Sequence, residues 1–157
     1  MSRISAISSY LPDLLLTNQE LAVRFPRWNA EKILLKTGIS ERRIAAPGET
    51  AGDLALNAAQ KLLATGKIKA DNIDMLLLVT QTPDQALPAT ACRIHHELGL
   101  PKRCGAFDLN QGCSGYIYGL AVADGMIAAG IANTILLLTA DTYSKLIQPD
   151  NQSVVPL

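Results

Sequence analysis

The sequence predicts an α/β protein with a mostly parallel sheet flanked by helices. Three observations carry that expectation. Two runs of strand length, 74–80 and 134–140, are apolar almost throughout instead of alternating, which is the pattern of strands buried on both faces. A weaker run, Cys104-Gly105-Ala106-Phe107-Asp108-Leu109, lies between them. Helical stretches with readable ends separate the three, so strand and helix alternate from 74 to 140, the order of right-handed crossovers.

The elements follow in chain order. Residues 3–10 supply a further strand before a turn at Leu11-Pro12-Asp13. Thr17-Asn18-Gln19-Glu20 has the form of a capping box and opens a helix reaching about Phe25, ahead of Pro26. Thr50-Ala51-Gly52-Asp53 starts another, which runs to Gly66. Pro88 stands where a first helical residue would and Gly99 just past a helix end, so 88–98 reads as a helix. The last helix begins near Cys113 and ends near Gly130. Its residues Tyr116, Ile117, Leu120, Val122, Met126 and Ile127 make it apolar almost all round, the mark of a helix covered on every side. One sheet layer covers one side, and a second domain or subunit must cover the other. A membrane span was weighed against this, since 113–132 carries one charge and Gly115 and Gly119 form a small-residue pair. Asp124 near its middle, its glycines and the strands on both sides favour a buried core helix.

Composition bounds the function. The 157 residues are 48% apolar, enough for one ordinary domain with a core and too apolar for disorder. Fourteen cations balance fourteen carboxylates, so the basic excess of a nucleic-acid binder is missing. Three cysteines and no secretory leader point to a reducing cytoplasm without a disulfide framework. No G-x-G-x-x-G or Walker loop supports a nucleotide cofactor. Gly112-Cys113-Ser114-Gly115 is not a serine nucleophile elbow either, because Tyr116 stands where its last glycine is needed. The tail Val154-Val155-Pro156-Leu157 stops within an apolar segment, so the chain is expected to be incomplete.

Cys113 is the foremost chemical candidate. It follows a strand through Asn110-Gln111-Gly112 and opens the apolar helix. A thiol at a helix N-terminus lies in the positive end of the macrodipole, which favours thiolate. Backbone N–H groups of a first turn lack intrahelical partners and can donate to an oxyanion. A small buried structural cysteine is the competing reading. Cys92, inside a helix, reads as a core residue. Cys104 follows Lys102-Arg103, a pair able to lower its pKa, yet nothing else marks a site, and it too reads as structural. His95 and His96 read as solvated helix residues, because a zinc site needs a second ligand pair and none exists. A dyad of Cys113 with one of them stays open. No metal is expected. Residues 24–43 hold six cations against two carboxylates, a patch fit for a phosphate-rich ligand or an acidic protein, or simply a solvated helical face. Trp28 lies within it, either as a stacking platform or as a core anchor.

Three ordered blocks carry a resemblance. Residues 107–120, Phe-Asp-Leu-Asn-Gln-Gly-Cys-Ser-Gly-Tyr-Ile-Tyr-Gly-Leu, resemble the nucleophile segment of the β-ketoacyl-acyl-carrier-protein synthase III family. Residues 36–47 resemble that family's arginine-rich turn, and 80–92 match a third segment. The resemblance implies a thiolase-like fold of two similar α/β halves, each with a mixed five-stranded sheet, working as a homodimer. This chain then corresponds to the N-terminal half without its final strand, with the C-terminal half absent. It implies Cys113 as the nucleophile acylated by acyl-CoA, followed by decarboxylative condensation with malonyl-acyl-carrier protein. Acyl-CoA and malonyl-acyl-carrier protein are substrates, and no cofactor is implied. The decarboxylating histidine and asparagine belong to the absent half, so 1–157 alone should not condense anything. Lys32 stands where a CoA-stacking tryptophan is usual and Gln152 where its arginine is, with Trp28 four residues upstream. Lys36 falls at a basic position that binds CoA or carrier phosphopantetheine, and Leu87 where a partner subunit lines the acyl pocket. Two other readings remain: transfer of the acyl group to a hydroxyl or amine through the same cysteine, and a degenerate subunit kept for assembly. Nucleic-acid and membrane partners are not expected.

Overall fold

The computed structural model describes residues 2–151 and 153–155 and divides the chain into two compact units. One comprises Leu11–Glu49 with the chain from Thr142 onward; the other comprises the residues up to Tyr10 with Thr50–Asp141.

In the smaller unit β1 (Leu14–Thr17) pairs antiparallel with β2 (Glu41–Ile44), Leu14 facing Ile44 and Thr17 facing Glu41. Thr17 ends the strand and caps α1 (Asn18–Arg24) in the expected box: its hydroxyl accepts from Glu20 N–H at 3.2 Å, and the Glu20 carboxylate accepts from Thr17 N–H at 2.7 Å. Helix α2 (Ala30–Thr37) is capped by Asn29 and closed by Gly38 at φ +72°. Leu21, Phe25 and Ile33 form the core, with Leu16 and Trp28 packed against them. Neither strand was predicted, because four residues are too few to show a period. Asn29 and Gly38 were legible signals for α2.

The larger unit begins irregularly. Residues 3–10, expected as a strand, form none. Together with the residues of α3 (Ala51–Ala64) and the β5 edge described below, Ser2 to Ser8 line a cavity of about 690 Å³. The cavity separates the segment from β5, and no ladder bridges the two. Helix α3 opens on the Thr50–Asp53 box that the sequence predicts, and Gly66 follows it at φ +70°. Next come β3 (Met75–Val79), α4 (Thr90–Glu97), β4 (Gly105–Leu109), α5 (Gly115–Ala128) and β5 (Ile135–Thr139). The strands are parallel in the order β4-β3-β5, with Leu77 level with Phe107 and Leu137. Central β3 has Leu76, Leu77 and Leu78 fully buried, as an apolar run without alternation requires. Its core-facing side packs on Ala55 and Ala59 of α3 and Ile94 of α4.

Helix α4 starts at Thr90, two residues later than Pro88 suggested. The reason is Asp108, whose carboxylate accepts from Thr90 N–H and Ala91 N–H, each at 2.8 Å, and so fixes the first turn. Gly99 closes the helix at φ +62°, where it was expected. In helix α5 only the glycines Gly115 and Gly119 are fully buried. Gly115 sits on Val79 and Gly119 on Leu137, so close that a Cβ at either would collide. On its other side Tyr116, Ile117 and Tyr118 are 46%, 65% and 57% exposed, so the expected all-round burial is not supplied by the described residues. Among them no helix is long and apolar enough to cross a membrane.

Candidate active site

The C-terminal ends of the three parallel strands converge on the turn that carries Cys113. The chain leaves β4 at Leu109 and passes through Asn110 and Gln111. It then closes a tight turn, with Gly115 N–H donating to the Gly112 carbonyl at 2.7 Å. Cys113 occupies this turn, and Ser114 caps the helix. The thiol thus stands two residues ahead of α5, not at its first position. It is exposed, which removes the reading of a buried structural cysteine. Tyr118 N–H donates to Ser114 at 3.1 Å. Between these two bonds lie the N–H groups of Tyr116 and Ile117, orphan donors of a helix start that belong to the positive end of the dipole.

Glycines let this turn sit close to the strand ends. The absence of a side chain at Gly115 admits Val79 at the end of β3, and Gly112 admits the Gln81 side chain, whose Oε1 would be 3.0 Å from a Cβ there. Gln81 is itself held. Asp141, just after β5, accepts through Oδ1 from Thr80 Oγ1 at 3.1 Å, Gln81 N–H at 2.7 Å and Thr82 Oγ1 at 3.1 Å, and through Oδ2 from Gln81 Nε2 at 3.3 Å. A second carboxylate, Asp84, fixes the other end of that loop. It accepts from Gly52 N–H and Arg93 Nε, each at 3.0 Å. Burial pulls the Arg93 guanidinium down, but Glu97, Asp84 and Asp53 around it more than compensate and hold it well above its ordinary value. Between the clamps the loop presents Leu87, which is 86% exposed.

The other cysteines divide. Cys104 is buried, and its thiol is pushed up chiefly by that burial, against the pull of Arg103. Cys92 is exposed, which corrects its reading as a core residue. Ala91 and Ile94 take the inward face of α4, and Cys92 stands beside that face. His95 is turned to the Pro101 carbonyl, with Nε2 at 3.2 Å, and His96 is exposed. Among the described residues no three His, Cys, Asp or Glu side chains gather to hold a metal ion.

The remaining candidates lie in the smaller unit. Trp28 is half-buried against its core, so the anchor reading applies. The Lys32 and Lys36 ammonium groups lie 5.7 and 5.3 Å from its ring centroid, bringing Lys36 and Trp28 together. Other cations of the run serve local structure: Arg42 donates to Asn18 Oδ1 at 2.8 Å and Arg43 to the Asp13 carbonyl at 3.2 Å. Gln152 lies outside the described residues. Sequence reasoning missed Gln81, Asp84, Asp108 and Asp141. For Asp108 and Asp141 the signal available was an acid inside or just after an apolar strand, where a charge persists only if it is hydrogen-bonded.

Comparison with known proteins bears on this arrangement. Residues 107–157 match the family model described as 3-oxoacyl-[acyl-carrier-protein] synthase III. A β-ketoacyl-[acyl-carrier-protein] synthase III from Xylella fastidiosa is 41% identical over 146 residues, which is 93% of this chain and 44% of that relative. The chain therefore spans about half the length of the curated relatives it matches. A crystal structure of a 3-oxoacyl-(acyl-carrier-protein) synthase III superposes with TM-score 0.96 at 55% identity, covering 98% of this chain and 46% of that one. The β-ketoacyl-[acyl-carrier-protein] synthase III of Thermus thermophilus gives TM-score 0.92 at 35% identity, covering 99% and 48%. The thiolase-like fold expected from the resemblance is the fold of these neighbours over the part this chain spans.

Proposed function

We propose that this chain is the nucleophile-bearing part of a condensing enzyme of the β-ketoacyl-acyl-carrier-protein synthase III family. One observation of its own carries the reading: an exposed Cys113 in a glycine-lined turn at the strand ends, directly ahead of the orphan N–H groups of α5. In the reaction this supports, the Cys113 thiolate adds to the carbonyl of an acyl-CoA thioester. The oxyanion is stabilised by backbone N–H donors of the turn, the carbon–sulfur bond to CoA breaks, and the CoA thiolate leaves. Malonyl-acyl-carrier protein then loses carbon dioxide. The electron pair of the broken bond attacks the acyl-cysteine carbonyl and Cys113 is expelled as thiolate, giving a 3-oxoacyl-carrier product. The groups that promote decarboxylation belong to the portion of the relatives beyond this chain's reach, so 1–157 alone does not condense.

The remaining assignments follow from the same reading. Lys36 beside Trp28 offers a cation for the phosphates of CoA or of carrier phosphopantetheine. Leu87 reaches the partner's acyl pocket in a homodimer, and the exposed side of α5 is covered by the second α/β half that the family implies. The enzyme works in the cytoplasm and needs no cofactor.

Incubation of the full-length protein with short acyl-CoA esters, followed by intact and peptide mass spectrometry, tests the proposal. An acyl adduct confined to Cys113 and lost in Cys113→Ala is the expected result. An unmodified Cys113 with every acyl-CoA and acyl-carrier donor would favour the degenerate subunit.

A further inference from the structure

We infer that Asp141, acting through the side chain of Gln81, is a positioning residue for the Cys113 turn. The inference rests on the reading of Cys113 as nucleophile. Three features of the strand ends lead to it.

The first is the number of donors on one carboxylate. Asp141 collects both hydroxyls of Thr80 and Thr82 and two donors of Gln81, its backbone N–H and its amide. No ion pair with Asp141 is found among the described residues, so its charge is met by neutral donors from one short segment. The second is the direction imposed on Gln81. Because Nε2 donates to Asp141 Oδ2, the amide must turn Oε1 the other way, and that oxygen is the side-chain atom nearest the place where a Gly112 Cβ would stand. The third is the setting of the segment. Thr80 N–H donates to the Leu109 carbonyl at the end of β4, and Ala140 N–H to the Val79 carbonyl at the end of β3. One carboxylate after β5 therefore ties the ends of β3 and β5 and, through one amide, sets which atom faces the side-chain position of Gly112.

Gln81 is exposed, so burial does not hold its amide in this orientation; Asp141 does. Asp141→Asn keeps an oxygen for the two threonines and the Gln81 N–H but replaces the acceptor of Nε2 by an NH2 group. Gln81 is then free to reverse and point a donor at Gly112.

The test is alkylation of the full protein by iodoacetamide, with the rate at Cys113 read by peptide mass spectrometry. The probe needs no acyl donor, so its outcome is separate from whether Cys113 accepts an acyl group. Asp141→Asn and Gln81→Ala should each slow Cys113 by roughly fivefold, the weight of one ordinary hydrogen bond. The double variant should be no slower than either single one, since both break one brace. Asp84→Asn, which loosens the far end of the same loop, should leave the Cys113 rate unchanged while lowering the melting temperature. Rates within about twofold of the unaltered protein in both brace variants would overturn the inference. Equal slowing in Asp84→Asn would overturn it as well, by reducing the effect to general loosening. Should Asp141→Asn not fold, the exposed Gln81→Ala decides alone.

Discussion

Gly52 and Gly125 differ in what a methyl group would meet. A Cβ on Gly52 would run into the Arg93 guanidinium, the Asp84 carboxylate and, at 2.7 Å, the Thr90 methyl, all held by hydrogen bonds. A Cβ on Gly125 meets nothing within 4 Å. Gly52→Ala should therefore destabilise by about 1–3 kcal/mol, the usual cost of overpacking. Gly125→Ala should stabilise by about 0.5–1 kcal/mol, the gain from replacing a mid-helix glycine. Urea denaturation of both variants checks the pair, and equal effects would refute the account of Gly52. At this scale the sequence was only half legible. Cys113 stood out through the glycines around it and its place between a strand and a helix. Gln81 and Asp141 did not, because sixty residues separate them and only the sheet brings them together.

At the scale of elements, carboxylates fasten the sheet and helices. Asp74 immediately precedes β3 and accepts from Asn133 N–H at 2.9 Å and Thr134 N–H at 3.1 Å, which holds it below the ordinary 3.8. Asp53 is pushed up by burial, but hydrogen bonds from Thr50 and the Arg93 guanidinium outweigh that and leave it lowered too. Both folded values lie under the unfolded ones. Their stabilisation is therefore complete above the unfolded pKa and is lost as pH falls through the folded values. Stability should stay level from neutral pH to about 5 and fall below about 4. Asp74→Asn should lose roughly 1 kcal/mol at neutral pH and show a shallower acid decline. A pH series of melting temperatures checks this, and an unchanged acid limb in the variant would refute it. Elements with strong local signals were legible: the boxes at Thr17 and Thr50, the runs that became β3 and β5, and Gly99 and Gly130 beyond their helices. Those decided by distant partners were not. Residues 3–10 have strand composition but no ladder beside them, and α4 starts where Asp108 on another element puts it.

At the scale of the whole molecule, two surfaces of the larger unit ask for cover. Beyond its glycine face α5 exposes Tyr116, Ile117 and Tyr118, and β5 pairs with β3 on one side only among the described residues. Contiguous apolar side chains and an open strand edge both favour association. The 157-residue chain should therefore self-associate in sedimentation velocity as its concentration rises. Replacement of Ile117 by a charged residue should weaken that association. A species that stays monomeric at high concentration would refute this expectation.

The central place of β3 also has a consequence in time. Its two neighbours are made after it, and Met75 meets Ile135 only when some sixty further residues exist. At the ribosome's pace that interval lasts about 3–12 s. Through its first half Leu76, Leu77 and Leu78 have no ladder partner, and through its second half only the β4 side can pair. The most buried strand of the finished protein is thus, among the described strands, the one that waits longest for its full set of partners during synthesis, and it is a segment that a chaperone has reason to hold.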